Sequence, residues 1–348
     1  MKRMTFIAHW VENSNWLFWW IGDLHRHPSH RKYFFWLWPL CALMSIIYLF
    51  GKKSYDVVDR FVFHGVNGLE VQGMTILTRT FGWHFVIPKQ RDRIRQKILD
   101  AVLYAQEHND VIGLGALIKD ERITQGGKWI VDQLGDRLHA WVVHGDTLTA
   151  MVVIQQVLGL LAKFRITSPV FLTGSTSKIG RAVALYLARQ GVKVIMYTQD
   201  QDRFQKIRSE AGEYADNLIH ADSLTQGHDC ALWVTGKAIP ASTELLNRVP
   251  KGTIILNFAV PNPLTRHDIN SRPDIRNYEG GLLCYDPALT DLHFTMRLQP
   301  GLTYACHAGT FVHAAEGWSE HEVGPVDIDR LELTWQAAQA LGFALPEI

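Results

Sequence analysis

Along the second half of the chain, short apolar runs alternate with stretches of helical spacing. Val170–Thr173 reads as a strand, Ile179–Gln190 as a helix stopped by Gly191, and Lys193–Tyr197 as a second strand. Asp202–Ala211 reads as a helix and Asn217–His220 as a short third strand. Cys230–Thr235 (CALWVT) and Thr253–Ala259 (TIILNFA) are unbroken apolar runs, the pattern of strands buried on both faces of a parallel sheet. Gly280–Tyr285 reads as the last strand, and Leu302–Trp318 and Ile328–Leu341 as closing helices, the second ending at Gly342.

The first half is less regular. Ser54–Pro88 alternates apolar and polar residues around several glycines and predicts short strands and turns. Arg91–Glu107 has apolar residues at helical spacing (Ile94, Ile98, Ala101, Val102, Ala105). Val111–Leu117 and Leu138–Val143 predict strands, and Thr147–Leu161 an apolar helix capped by Asp146 or Thr147. At 348 residues the chain exceeds a single core. The fold class is therefore α/β: a Rossmann dinucleotide-binding domain over 166–300 and a smaller α/β substrate domain over 54–165. An apolar, membrane-associating segment over 1–53 precedes them, and helices over 301–348 pack back on the substrate domain.

The N-terminal segment is aromatic-rich, with Trp10, Trp16, Trp19, Trp20, Phe34, Phe35, Trp36 and Trp38. Phe34–Phe50 carries no charge and lies between Arg31/Lys32 and Lys52/Lys53. A bilayer-crossing helix needs about 20 apolar residues, so the run is borderline, and Pro39 interrupts it. Aromatics and cations at its edges suit lipid headgroups. Three readings stand: a membrane-surface or hairpin segment, a single span, or a buried core helix. The expected location is the cytoplasmic face of a membrane. His25, His27 and His30 read as a solvated basic loop.

The formal net charge of +1, without a block of like charge, argues against a nucleic-acid partner. Four scattered cysteines (Cys41, Cys230, Cys284, Cys306) form neither a disulfide framework nor a zinc pattern, which fits a reducing compartment. No metal site is expected.

The sharpest motif is VFLTGSTSKIGRAVALYLARQGVKVIMY, a strand, glycine-bearing turn, helix and strand in the order that a dinucleotide requires. A pyrophosphate needs backbone N–H donors and the positive end of a helix dipole. Gly174 permits the turn and Gly180 close helix packing, while Ser177 replaces the usual central glycine. Gly174, Ser175, Thr176, Ser177, Lys178, Ile179 and Gly180 are thus the candidate cofactor turn, with Thr198 and Thr235 at the ends of later strands and Arg203 as the nearest cation after the second strand. Strand two ends Tyr197-Thr198-Gln199-Asp200 with no acid at its tip, which leans towards NADPH; Asp200 and Asp202 keep NADH open.

The C-terminal stretch YACHAGTFVHAAEGWSEHE resembles two families. One is the cyanobacterial long-chain acyl-(acyl-carrier-protein) reductases, through the Ala-Cys pair, Glu316-Gly317-Trp318, the Gly174–Gly180 loop, Gly145-Asp146-Thr147 with Thr149, Trp233-Val234, Pro261 and Gly280-Gly281. The other is the C-terminal domain of the plant eceriferum wax-alkane proteins, through Val312-His313-Ala314, Glu316-Gly317-Trp318 and Glu320-His321-Glu322. Trp38-Pro39, Phe50-Gly51, Ile87-Pro88 and Leu114-Gly115 extend the plant likeness upstream.

The reductase resemblance implies Cys306 as a nucleophile that takes an acyl group from acyl-ACP or acyl-CoA, and NADPH-dependent release of fatty aldehyde. It also implies Thr147 and Thr149 as contacts to substrate or cofactor. From the residues themselves, His307 next to Cys306 and His144 before the Gly145 turn are further catalytic candidates, and His313 and Glu316, three apart on one helix face, are substrate-facing candidates. Against this stand plainer readings: Cys306 as a small buried thiol, His144 as a capping or solvated residue, and His313 with Glu316 as a hydrogen-bonded pair on one helix face. Lys119 reads as exposed, and Cys230 and Cys284 as packing residues. The expectation is long-chain acyl-thioester reduction, with membrane lipid and an aldehyde-consuming enzyme as partners. The plant resemblance implies the alternative of a component of a wax- or alkane-forming aldehyde decarbonylase complex, or a non-catalytic cofactor-binding subunit.

Overall fold

The protein is described by a computed structural model covering residues 2–10, 31–236, 246–259, 270–296 and 298–347, with the backbone alone for residues 31–38, 40 and 41. Trp16, Trp19, Trp20, the three basic-loop histidines and Pro261 lie outside the described residues. The first elements are β1 (Lys2–Trp10), α1 (Arg31–Phe50), β2 (Tyr55–His64), β3 (Glu70–Phe81), α2 (Arg91–Gln106), β4 (Val111–Leu114), α3 (Lys128–Leu134) and β5 (Trp141–Val143). Then come α4 (Asp146–Lys163), β6 (Val170–Thr173), α5 (Lys178–Arg189), β7 (Val194–Tyr197), α6 (Gln201–Glu210), β8 (Leu218–Ala221), β9 (Leu232–Thr235), β10 (Ile254–Asn257) and β11 (Arg276–Glu279). The chain closes with β12 (Leu282–Cys284), β13 (Leu302–Tyr304), α7 (Ala305–Glu316) and α8 (Leu331–Ala340).

These elements form two compact units: residues 1–145, 284–324 and 337–343, and residues 146–283, 325–336 and 344–348. The first unit holds a five-stranded sheet in the order β2-β3-β1-β4-β5, parallel except for the antiparallel β2–β3 hairpin. β1 lies at its centre, and Met4 to Trp10 are all buried. Phe6 points to α7, where its ring meets that of His307, and Ile7 joins the opposite core with Ile94, Ile98 and Val102 of α2. A helix thus covers each face.

This placement corrects the boundary expected at residue 53. Lys2–Trp10 is core strand, and α1 packs on β3 through buried Ser45, Tyr48 and Leu49. A strand buried on both faces has no alternation to show, so β1 reads in sequence as one more apolar stretch. Ser54–Pro88 likewise holds two long strands where short ones were expected. The segment 301–348 is divided between the two units.

The second unit is a six-stranded sheet in the order β11-β10-β9-β6-β7-β8 with every pairing parallel. Numbered from β6, this is the 3-2-1-4-5-6 order of a Rossmann fold, whose direction of winding reverses between β6 and β9. The sequence expectation for this domain stands to within one or two residues at β6, α5 and β7. Leu302–Trp318 differs: its first three residues are β13, and the helix begins at Ala305. Among the described residues, α4 is the one helix long and apolar enough to cross a membrane, yet Leu148, Met151, Val152, Ile154, Val157 and Leu160 are buried, as in a soluble core.

Candidate functional site

In the Rossmann unit, β6 delivers the chain to Gly174, which turns with φ +66°. Ser177 N–H then donates to the Gly174 carbonyl at 3.0 Å. The Ser177 hydroxyl caps α5 by accepting Gly180 N–H at 3.1 Å. Serine serves here as a helix N-cap, the role its side-chain oxygen suits. Gly180 lies so close to the turn that a Cβ would sit 2.2 Å from the Gly174 carbonyl oxygen. Only glycine fits, and the helix N-terminus is thereby presented at the strand end. These are the features a pyrophosphate requires, so the residues fit a dinucleotide.

The remaining expected cofactor residues shape this turn or lie near it. Ser175 is buried and donates to the Tyr197 carbonyl at 3.1 Å, joining the turn to the end of β7. Lys178 opens α5 and pairs with the buried carboxylate of Asp146 at 3.0 Å. Thr198 accepts Asp200 N–H at 3.0 Å, and Asp200 in turn caps α6 by accepting Arg203 N–H at 3.0 Å. The Arg203 guanidinium lies 3.3 Å from the same carboxylate. Thr235 donates to the Asn257 side chain at 2.9 Å between neighbouring strands β9 and β10. Thr147 is buried on the first turn of α4 and Thr149 half-buried, within reach of Gly281.

In the other unit, Gly145 and the start of α7 approach backbone to backbone. Gly145 has φ +65°, and a Cβ there would lie 2.2 Å from the Cys306 carbonyl oxygen. Cys306 is half-buried on the first turn of α7. His144 is fully buried, with Nδ1 2.9 Å from the Glu322 carboxylate. The Glu322 backbone also bridges to the edge of β5, accepting His144 N–H and donating to the Val142 carbonyl, each at 2.9 Å. Lys119, expected at the surface, is half-buried and donates to the His144 carbonyl at 3.0 Å. His321 accepts Val142 N–H at 3.0 Å. The 320–322 segment is thus a strap on the sheet edge.

His307, a catalytic candidate in the sequence, supplies no positive charge to the thiol. It is buried among Phe6, Phe61 and Phe311, and burial pushes its pKa down to about 3. At neutral pH it is an uncharged core imidazole, bonded to Thr303 at 3.1 Å. His313 and Glu316 do not share surroundings either: His313 is buried with its ring edge-on to Trp318, whereas Glu316 is exposed at the end of α7. Among the described residues no group of three potential metal ligands occurs.

Sequence reasoning passed over His9 and His84. His9 Nδ1 donates to the Trp10 carbonyl at 2.8 Å, which leaves Nε2 as a bare lone pair. His84 Nδ1 accepts Phe81 N–H at 3.0 Å, which leaves its proton on Nε2. Both Nε2 atoms are buried without a partner among the described residues, and burial lowers each pKa to about 4. A lone histidine inside an apolar run carries no sequence signal for such an arrangement.

A family profile described as "CER1-like, C-terminal domain" matches residues 170–345. The very-long-chain aldehyde decarbonylase GL1-1 of Oryza sativa subsp. indica is 33% identical over 305 residues, covering 87% of this chain and 46% of that protein. Its counterpart GL1-2 is 34% identical over 261 residues, covering 74% and 39%. The chain spans about half the length of the curated relatives it matches. Among solved structures, shikimate 5-dehydrogenase from Thermus thermophilus in complex with NADP(H) and shikimate aligns over 98% of this chain and all of that one, at 14% identity and TM-score 0.40. The yhdH oxidoreductase from Salmonella enterica in complex with NADP covers 39% and 43%, at 16% identity and TM-score 0.30.

These relatives support the plant side of the resemblance and give none to the cyanobacterial reductases. They overturn the expectation of long-chain acyl-thioester reduction, because the matching proteins are named as aldehyde decarbonylases.

Proposed function

Since the chain belongs to the CER1-like C-terminal domain family, we propose that it is the nicotinamide-nucleotide-binding component of a wax- or alkane-forming system that handles long-chain aldehydes. The observation that carries this reading is the Gly174–Gly180 turn, whose geometry fits a dinucleotide and which lies within the stretch that matches the family. The N–H groups of the turn and the first turn of α5 would hold the pyrophosphate, with Lys178 held beside them by its pairing with Asp146. Ser177 and Ser175 would keep the turn in shape, since their hydroxyls already bond Gly180 and Tyr197. The nicotinamide, when bound, supplies or accepts a hydride. NADPH is favoured over NADH because the first acid after β7, Asp200, is engaged with the N-terminus of α6 and with Arg203.

The test is direct titration of the purified chain with NADPH and NADH, followed by tryptophan fluorescence and calorimetry. Saturable binding that Gly180→Ala removes is the expected result. Absence of binding for both nucleotides would overturn the reading. Incubation with a long-chain aldehyde, with and without nucleotide, then separates an enzyme from a partner subunit: aldehyde loss in the nucleotide-loaded sample marks the enzyme.

A further inference from the structure

α1 shows two faces with different fates. Ser45, Tyr48 and Leu49 are buried against the first sheet, as a surface helix of a soluble protein requires. The opposite face should then be polar, and it is not. Leu43 is 54% exposed, Ile46 and Ile47 48% each, and Phe50 58%. Their spacing of i, i+3, i+4 and i+7 lines them along one stripe. In the same unit, Trp83 and Val86 are also exposed.

The charged residues that border this stripe are predominantly basic. The Arg93 guanidinium lies 4.5 Å over the ring of Phe50. Lys52 is exposed two residues after the stripe, and Lys89 is exposed just before α2. Lys53 pairs with Asp56 at 2.8 Å, so it contributes less. From Phe34 to Lys53 there is no acidic residue, and the exposed Asp92 is the acid nearest to Arg93 in sequence.

We propose that the Leu43/Ile46/Ile47/Phe50 face of α1, bordered by Lys52 and Arg93, docks the protein on an anionic lipid bilayer. An apolar stripe bordered by cations is the pattern of a helix lying in the interfacial plane, where apolar burial and attraction to acidic headgroups add. The buried Ser45, Tyr48 and Leu49 hold the C-terminal half of α1 against the protein, so it lies on the bilayer and does not cross it. This inference stands apart from nucleotide binding, and a long-chain aldehyde partitions into the same lipid phase.

The test is co-sedimentation of the full chain with vesicles of phosphatidylcholine alone or mixed with phosphatidylglycerol, at low and high salt. Binding to the mixed vesicles, weakened by salt, is expected. The double variant Ile46→Ser/Phe50→Ser should bind about tenfold or more weakly while keeping its thermal melt and nucleotide titration unchanged. Lys52→Glu with Arg93→Glu should lose the preference for acidic lipid. The proposal is overturned if the wild type ignores acidic vesicles, or if the double variant binds as well as wild type. It is equally overturned if light scattering shows a dimer that the double variant dissolves while vesicles are not bound, since a second copy would then own the face.

Discussion

Gly145 and Cys306 touch backbone to backbone: a Cβ on the glycine would fall 2.2 Å from the cysteine carbonyl oxygen. The φ of +65° at Gly145 adds a conformation that residues with side chains avoid. The turn after β5 is thereby fixed against the start of α7. Gly145→Ala is expected to destabilise the protein by about 2–4 kcal/mol, combining left-handed strain with overpacking. Urea unfolding measures this; a loss below about half a kcal/mol would show that the two segments separate freely.

The second glycine contact concerns binding. Gly180→Ala would push α5 from the Gly174 turn and misplace the N–H donors proposed to hold pyrophosphate. The expected loss of NADPH affinity is tenfold or more, at least ~1.4 kcal/mol. Ser177→Ala removes only the cap, so it should cost about 1 kcal/mol of stability and leave a smaller effect on affinity.

Stability should fall as the solution is acidified from pH 6.5. His9, His84 and His307 are neutral in the folded protein, with pKa values of about 4, 4 and 3, against 6.5 for an exposed imidazole. Between pH 6.5 and 4 the unfolded chain binds protons at these sites and the folded one does not, so protonation favours unfolding. Each group removes ~1.4 kcal/mol per pH unit in that window, and the contribution is fully present above pH 6.5. His307→Phe, a substitution into an aromatic cage, should reduce the slope by about one proton. A slope unchanged from wild type would refute the neutral, buried state of His307.

Arg203 tests the nucleotide preference. Its guanidinium pairs with Asp200 at the end of β7, both largely exposed. Arg203→Ala should weaken NADPH by about 0.5–1 kcal/mol, the scale of an exposed ion pair, and leave NADH unchanged. Paired titrations of the two nucleotides check it.

Much of the Rossmann unit was legible in the sequence because its short strands are single apolar runs punctuated by glycine. β6, α5 and β7 follow directly from VFLTGSTSKIGRAVALYLARQGVKVIMY. β11 was missed because RNYE carries polar residues at the edge of the sheet. β1 was missed for the opposite reason: with MTFIAHW buried throughout, strand and membrane segment look alike from composition. The surroundings of Cys306 were not legible at all. The sequence sets His307 next to Cys306, but successive helical side chains diverge, and the ring ends up among Phe6, Phe61 and Phe311 from distant strands and its own helix.

Local chemistry by itself determined the glycine turn at 174–180, the helix it opens and the run of strands around it, because these depend on residues within a few positions of one another. Tertiary structure decided what no short window holds. It put Lys2–Trp10 at the centre of a sheet, made His307 a neutral core residue, and tied Glu322 to the distant His144. It also left one stripe of α1 uncovered, because burial depends on which surfaces meet, and hydropathy alone does not say which apolar face finds a partner.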